Sequence, residues 1–187
     1  MKRSTAVDLV LVVCCVTAVG VAGLSYVRLG RLSVPAVAPA PPPTLAGIVG
    51  HPLRALHELL PSGEIGSVSS ETLNRPTVLL FFKSTCLACE ANARNWAKLA
   101  AEPGRRFDVI AVSSEGGTVA TEWFDRHHIP HDRVLLPQSN EELNSQWGIQ
   151  AVPTTVVVDQ NGIVSFGHVG ILQNTNLDEL QRLLSGS

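Results

Sequence analysis

The sequence Cys86-Leu87-Ala88-Cys89 follows an apolar run, Thr77-Val78-Leu79-Leu80-Phe81-Phe82, and opens a stretch with helical periodicity. No other feature of the chain constrains its fold as much. A Cys-x-x-Cys at a strand-to-helix junction puts the first sulfur at a helix N-terminus. There, unpaired backbone N–H groups and the helix dipole favour thiolate over thiol. Two intervening residues leave the second sulfur one helical turn away, within reach to resolve a mixed disulfide. The competing reading is half of a zinc site. Zinc takes about four ligands, and neither a second Cys-x-x-Cys nor a His-x-x-x-His follows, so no metal is expected. Placement therefore favours redox chemistry at Cys86 and Cys89.

The other two cysteines, Cys14 and Cys15, belong to a different segment. Residues 9–27 are mostly apolar and uncharged, enough for a helix to cross a bilayer. Lys2 and Arg3 precede the run and Arg28 and Arg31 follow it, so basic residues do not decide its orientation. A cleavable signal peptide is the rival, given the basic start and small residues such as Ala22 and Gly23. The run exceeds a typical signal core, and no lipobox-like small residue precedes either cysteine. An uncleaved anchor after a short tail (1–8) is the expectation. Residues 28–46 include Pro35, Pro39, Pro41, Pro42 and Pro43, which favour extended polyproline II and read as a semi-rigid spacer.

Residues 47–187 are the right size for one domain. The net charge is −2 and the basic residues are scattered, which gives no reason to expect a nucleic-acid partner. Strands are expected at 77–82, 107–112, 154–159 and 163–168, the last two joined through an Asn161-Gly162 hairpin turn. Helices are expected from the cysteine motif to about Ala100, from a Thr118 cap to His127, and from Ser139 to Trp147. A last one runs from Asn176 and buries Leu177, Leu180 and Leu184. Alternating helices and strands that close on a hairpin imply an α/β domain, a mixed sheet covered on both faces. Trp96, Trp123 and Trp147 read as core or groove residues. His127 and His131 have helical spacing that Pro130 interrupts, which argues against a shared metal.

Strand, Cys-x-x-Cys, helix, strand, then Trp147-Gly148-Ile149-Gln150-Ala151-Val152-Pro153-Thr154-Thr155 and a hairpin resemble the thioredoxin fold. The anchor, the opening Gly50-His51-Pro52-Leu53 and the extra helix before the proline loop narrow the resemblance. It points to the membrane-anchored TlpA-like thiol–disulfide oxidoreductases of bacterial envelopes, over essentially all of residues 47–187. The resemblance implies a cis Pro153 facing the cysteines, with Val152 exposed as a short edge on which an extended substrate pairs. It implies no cofactor beyond a redox-active Cys86–Cys89 disulfide. It also implies protein thiol and disulfide substrates, a membrane thiol donor for re-reduction, and a monomer on the bacterial inner membrane with its domain in the periplasm or cell exterior. Cytochrome c assembly factors are the clients it suggests.

Several positions depart from that pattern. Thr85 replaces the tryptophan that usually precedes the first cysteine, and Ala88 the proline before the second. Leu80 and Asn92 stand where relatives carry acids that move protons from the second cysteine, which leaves Glu90, Lys83 or water for that role. Glu90 also suits the helix dipole, and a Lys83 ammonium near Cys86 would lower its pKa. Three classes of function compete: disulfide exchange, in the reducing or the oxidising direction; a peroxiredoxin-like peroxidase; and a client-binding module. The peroxidase normally needs a threonine where Lys83 stands, and binding alone needs neither cysteine.

Overall fold

The structure is a computed structural model that describes residues 45, 47–60, 62 and 64–185. The expected tail, anchor and most of the spacer lie outside the described residues. Among those residues no helix is long and apolar enough to cross a membrane.

The apolar runs pair as period-2 strands should. Strand β3 (Thr77–Phe81) lies at the centre of a five-stranded sheet. It pairs in parallel with β4 (Asp108–Val112), and β4 pairs in parallel with the short β5 (Arg133–Leu135). On the other side β3 pairs antiparallel with β6 (Thr154–Val158), which pairs antiparallel with β7 (Val164–Val169). The β6–β7 turn forms as expected: Asp159 accepts from the N–H groups of Asn161 and Ile163, and Gly162 takes φ +76°.

Alternate side chains of these strands supply two cores. One face, with Val78, Leu80, Val109, Ala111 and Val157, packs on three helices. These are α1 (Leu87–Ala100), α2 (Gly117–Arg126) and α4 (Asn174–Ser185). The opposite face, with Leu79, Phe81, Ile110, Val112 and Val156, packs on α3 (Asn140–Trp147) and a small hairpin of β1 (Leu56–Leu59) and β2 (Ile65–Val68). All three tryptophans are buried, as expected. Trp96 Nε1 donates to Thr155 Oγ1 at 2.9 Å, and Trp147 Nε1 to the Arg54 carbonyl at 2.8 Å.

Several local expectations need correction. Helix α2 is capped by Gly116 at φ +96°, with no side-chain cap bond; Thr118 lies inside the helix. Such a φ is a glycine conformation, so backbone geometry starts this helix. Helix α4 begins two residues before Asn176, whose Oδ1 accepts from the Gln173 N–H. Ser139 caps α3 as the spacing implies, accepting from Glu142 N at 3.1 Å. Glu142 does not return the bond, because its carboxylate turns to the backbone and ring of His57. Strands β1, β2 and β5 were not expected. Strands β1 and β2 have only four residues each and pair with one another, while the three-residue β5 is tied to β1 by buried Glu58, which pairs with Arg133.

Candidate active site

Parallel pairing of β3 and β4 brings both C-terminal ends to one edge, where α1 begins. Cys86 is the N-cap of α1, with φ −89° and ψ 113°, and its sulfur accepts from Cys89 N at 3.2 Å. The Cys86 backbone N–H donates to Lys83 O at 3.1 Å, and its carbonyl accepts from Glu90 N at 3.0 Å. The Cys86 side chain takes the place of the serine or aspartate of an ordinary cap, so the helix start itself solvates its sulfur.

The two cysteines are chemically unequal. Cys86 is partly exposed and Cys89 is completely buried, and both are free thiols. Burial pushes the Cys89 pKa up to about 12, helped by its hydrogen bond with Cys86 and by the negative charge of Cys86 and Glu115. The Lys83 backbone N–H works in the opposite direction.

The Val152–Pro153 bond is cis, and the Val152 carbonyl lies 3.7 Å from Cys86 Sγ, accepting its S–H. Pro153 O accepts from Gly170 N at 2.7 Å, which stitches the proline loop to the end of β7. Asn92 and Asn95 of α1 hold the next residues, through the Leu172 N–H at 3.0 Å and the Leu172 carbonyl at 2.9 Å. Leu87 projects from the motif at 87% exposure, the most exposed large apolar side chain among the described residues. A cleft of about 540 Å³ opens beside Val152, floored by Phe81, Val112, Leu143 and Ile149 and rimmed by Lys83.

The structure thus brings Cys86, Cys89, Val152 and Pro153 together. Lys83 is exposed, and what reaches Cys89 is its backbone N–H rather than its ammonium. Glu90 stands in the first turn of α1 and pairs with His127 at 3.1 Å. His131 instead places Nδ1 at 3.2 Å from the Ile129 carbonyl. Sequence reasoning overlooked Glu115, three residues past the end of β4. Its carboxylate accepts from the Ser84 N–H at 2.5 Å and the Ser84 hydroxyl at 3.0 Å, in the loop before Cys86. The available signal was the parallel pairing of β3 and β4, which puts residues just past both strands side by side.

Strand order, the cis-proline loop and the Cys-x-x-Cys at the start of α1 together define a thioredoxin-like fold. The sequence profile of the AhpC/TSA family matches residues 53–166, and the chain belongs to that family. No curated protein sequence matches it. Among solved structures it is similar to a thio-disulfide isomerase from Thermus thermophilus, at 25% identity and TM-score 0.56, over 73% of this chain and 96% of that one. The thioredoxin domain of a thiol-disulfide oxidoreductase from Bacteroides vulgatus aligns at 16% identity and TM-score 0.56, over 73% and 97%. A thiol:disulfide interchange protein from Bacteroides sp. aligns at 14% identity and TM-score 0.56, over 74% and 91%.

Proposed function

We propose that this protein reduces disulfides of extracytoplasmic proteins through a Cys86/Cys89 dithiol. The observation that carries the reading is the inequality of the two sulfurs. Cys86 sits half-exposed on the helix N-terminus, while Cys89 is sealed behind it. Cys86 attacks the client disulfide and forms a mixed disulfide, and Cys89 then attacks Cys86 and releases the client thiol. The Val152 edge and the adjoining cleft receive the client chain beside its cysteine. The cycle leaves a Cys86–Cys89 disulfide and needs no further cofactor.

Direction follows from the dipeptide between the cysteines. Leu87 and Ala88 offer the sulfur no side-chain donor, so thiolate stabilisation comes from the backbone. That suits a reducing couple of about −200 to −270 mV, as in glutaredoxins and thioredoxin. A reductase outside the cytoplasm must be re-reduced, so a membrane thiol donor is its partner. Residues 9–27 tether it to the bacterial inner membrane, with the domain facing the periplasm or cell exterior. Cytoplasmic disulfides are already kept reduced, which leaves a tethered reductase little to do there. Peroxide reduction is disfavoured by the vicinal cysteine pair and by Lys83.

Two measurements test the reading. Cys89→Ala should trap clients covalently on Cys86, and Cys86→Ala should trap almost none; equal trapping would refute the assignment. Equilibration with glutathione should give a potential in the range above. A value near about −120 mV would make the protein a disulfide donor instead.

A further inference from the structure

In disulfide exchange, resolution demands that the buried Cys89 lose a proton. Burial holds Cys89 as a thiol at neutral pH, and a thiol is a poor nucleophile. Some group must accept that proton inside the site. Most of the surroundings are unsuitable. Leu80 is apolar, and Asn92, one turn beyond Cys89 on α1, is a neutral amide whose Oδ1 is committed to the Leu172 N–H. Glu90 is paired with His127, and Lys83 presents only its backbone to Cys89. Glu115 is different. It is half-buried, and its carboxylate is held by the N–H and hydroxyl of Ser84, next in the chain to Lys83, whose own backbone N–H reaches Cys89; carboxylate and buried sulfur are thus held by adjacent residues of one loop.

We propose that Glu115 accepts the Cys89 proton during the resolving step. The inference rests on the disulfide-exchange reading above. In the mixed disulfide, the proton leaves Cys89 Sγ for the Glu115 carboxylate. The freed electron pair forms the Cys89–Cys86 bond, and the Cys86–client bond breaks. The client sulfur departs as a thiolate and takes up a proton. The dithiol loses two electrons and the client disulfide gains two. One feature makes the pairing productive. Two negative charges at Cys89 and Glu115 oppose one another, and moving the proton between them removes that conflict as the sulfur becomes nucleophilic. The charged or titratable groups that bear on Cys89 are Cys86 and Glu115, and the side chains that Glu115 contacts, Ser84 and Ser113, are neutral.

The test uses the full-length chain with Cys14→Ser and Cys15→Ser, so that only the active pair reacts. Reduced protein is mixed with an aromatic disulfide that releases a coloured thiolate. The first release reports attack by Cys86, and the second reports resolution by Cys89. Glu115→Gln keeps an acceptor for the Ser84 N–H but cannot take the proton. The second release should slow by about 100-fold at pH 7 while the first is unchanged. Its rate should then rise about tenfold per pH unit, because hydroxide replaces the carboxylate. Glu115→Asp should recover part of the loss. Ser84→Ala breaks the hydroxyl contact while keeping the charge, and its second release should stay within about threefold of the parent. A second release in Glu115→Gln as fast as the parent's would overturn the proposal. So would an equal slowing in Ser84→Ala, which would reduce Glu115 to a clamp. Absence of any second release from the parent would instead defeat the disulfide-exchange reading itself, and this one with it.

Discussion

Folding should protect Cys89 from alkylation to an extent that can be worked from the structure. Its pKa lies at about 12 against an ordinary thiol value of 9.0, so the thiolate is about a thousandfold scarcer than in the unfolded chain at any pH well below 9. The displacement corresponds to about 4 kcal/mol against ionisation. The alkylating reagent must also reach a sulfur with no exposed surface. Iodoacetamide labelling at pH 8, followed site by site by mass spectrometry, should show native Cys89 at least about a thousandfold slower than Cys89 in urea. Cys86, partly exposed, should label first in the native protein. A native-to-unfolded ratio under about tenfold at Cys89 would refute the claim that burial governs it. The same displacement has a consequence for stability. A group whose folded pKa is raised holds its proton longer in the native state. Its contribution is therefore complete below pH 9 and is lost as pH climbs toward 12. The reduced protein should weaken over that window, and Cys89→Ala should flatten the slope; an unchanged slope would contradict the assignment.

Three further substitutions probe the scaffold. Thr155→Val leaves the buried Trp96 Nε1–H without an acceptor and should cost about 1–3 kcal/mol, read as a lower urea midpoint; an unchanged midpoint would show the bond to be dispensable. Gly162→Ala forces a side chain into φ +76° and sets its Cβ 2.3 Å from Ser70 Cβ and 2.8 Å from Ser70 Cα. A loss of about 2–4 kcal/mol is expected, and a melting temperature equal to wild type would disprove the clash. Asp132 is subject to burial that would raise its pKa, but the Arg105 side chain and the Val109 N–H outweigh this and lower it from the ordinary 3.8. Its contribution is present above the ordinary aspartate range and disappears as pH falls through the depressed value. Asp132→Asn should therefore lose about 1 kcal/mol at pH 7 and converge on wild type in acid; a gap that persists at low pH would exclude the ion pair as its cause.

What was legible in the sequence was local. The runs of Val, Ile and Leu in β3, β4 and β6 alternate between two cores, so their pattern and their structure are the same information. Cys86 as a helix cap could be read because strand, motif and helix are contiguous. The illegible parts depend on partners far along the chain. Glu58 looks like a surface residue until Arg133 is brought to it, and β5 is too short to announce itself. Glu115 gains meaning only when β4 lies beside β3, since its contacts to Ser84 span 31 positions. Thr118 misled because a hydroxyl residue is a common helix cap, whereas Gly116, two residues before it, starts the helix through its φ of +96° and makes no side-chain bond.

The two asparagines of α1 carry a mechanical implication. Asn92 and Asn95 grip Leu172 from both its N–H and its carbonyl side, and Gly170, two residues earlier, is bonded to Pro153. Helix, β7 loop and proline loop thus form a closed linkage around the sulfurs. Whatever fixes α1 against the sheet thereby also fixes the loop that carries Pro153, so the helix that bears both sulfurs and the proline beside them share one set of supports.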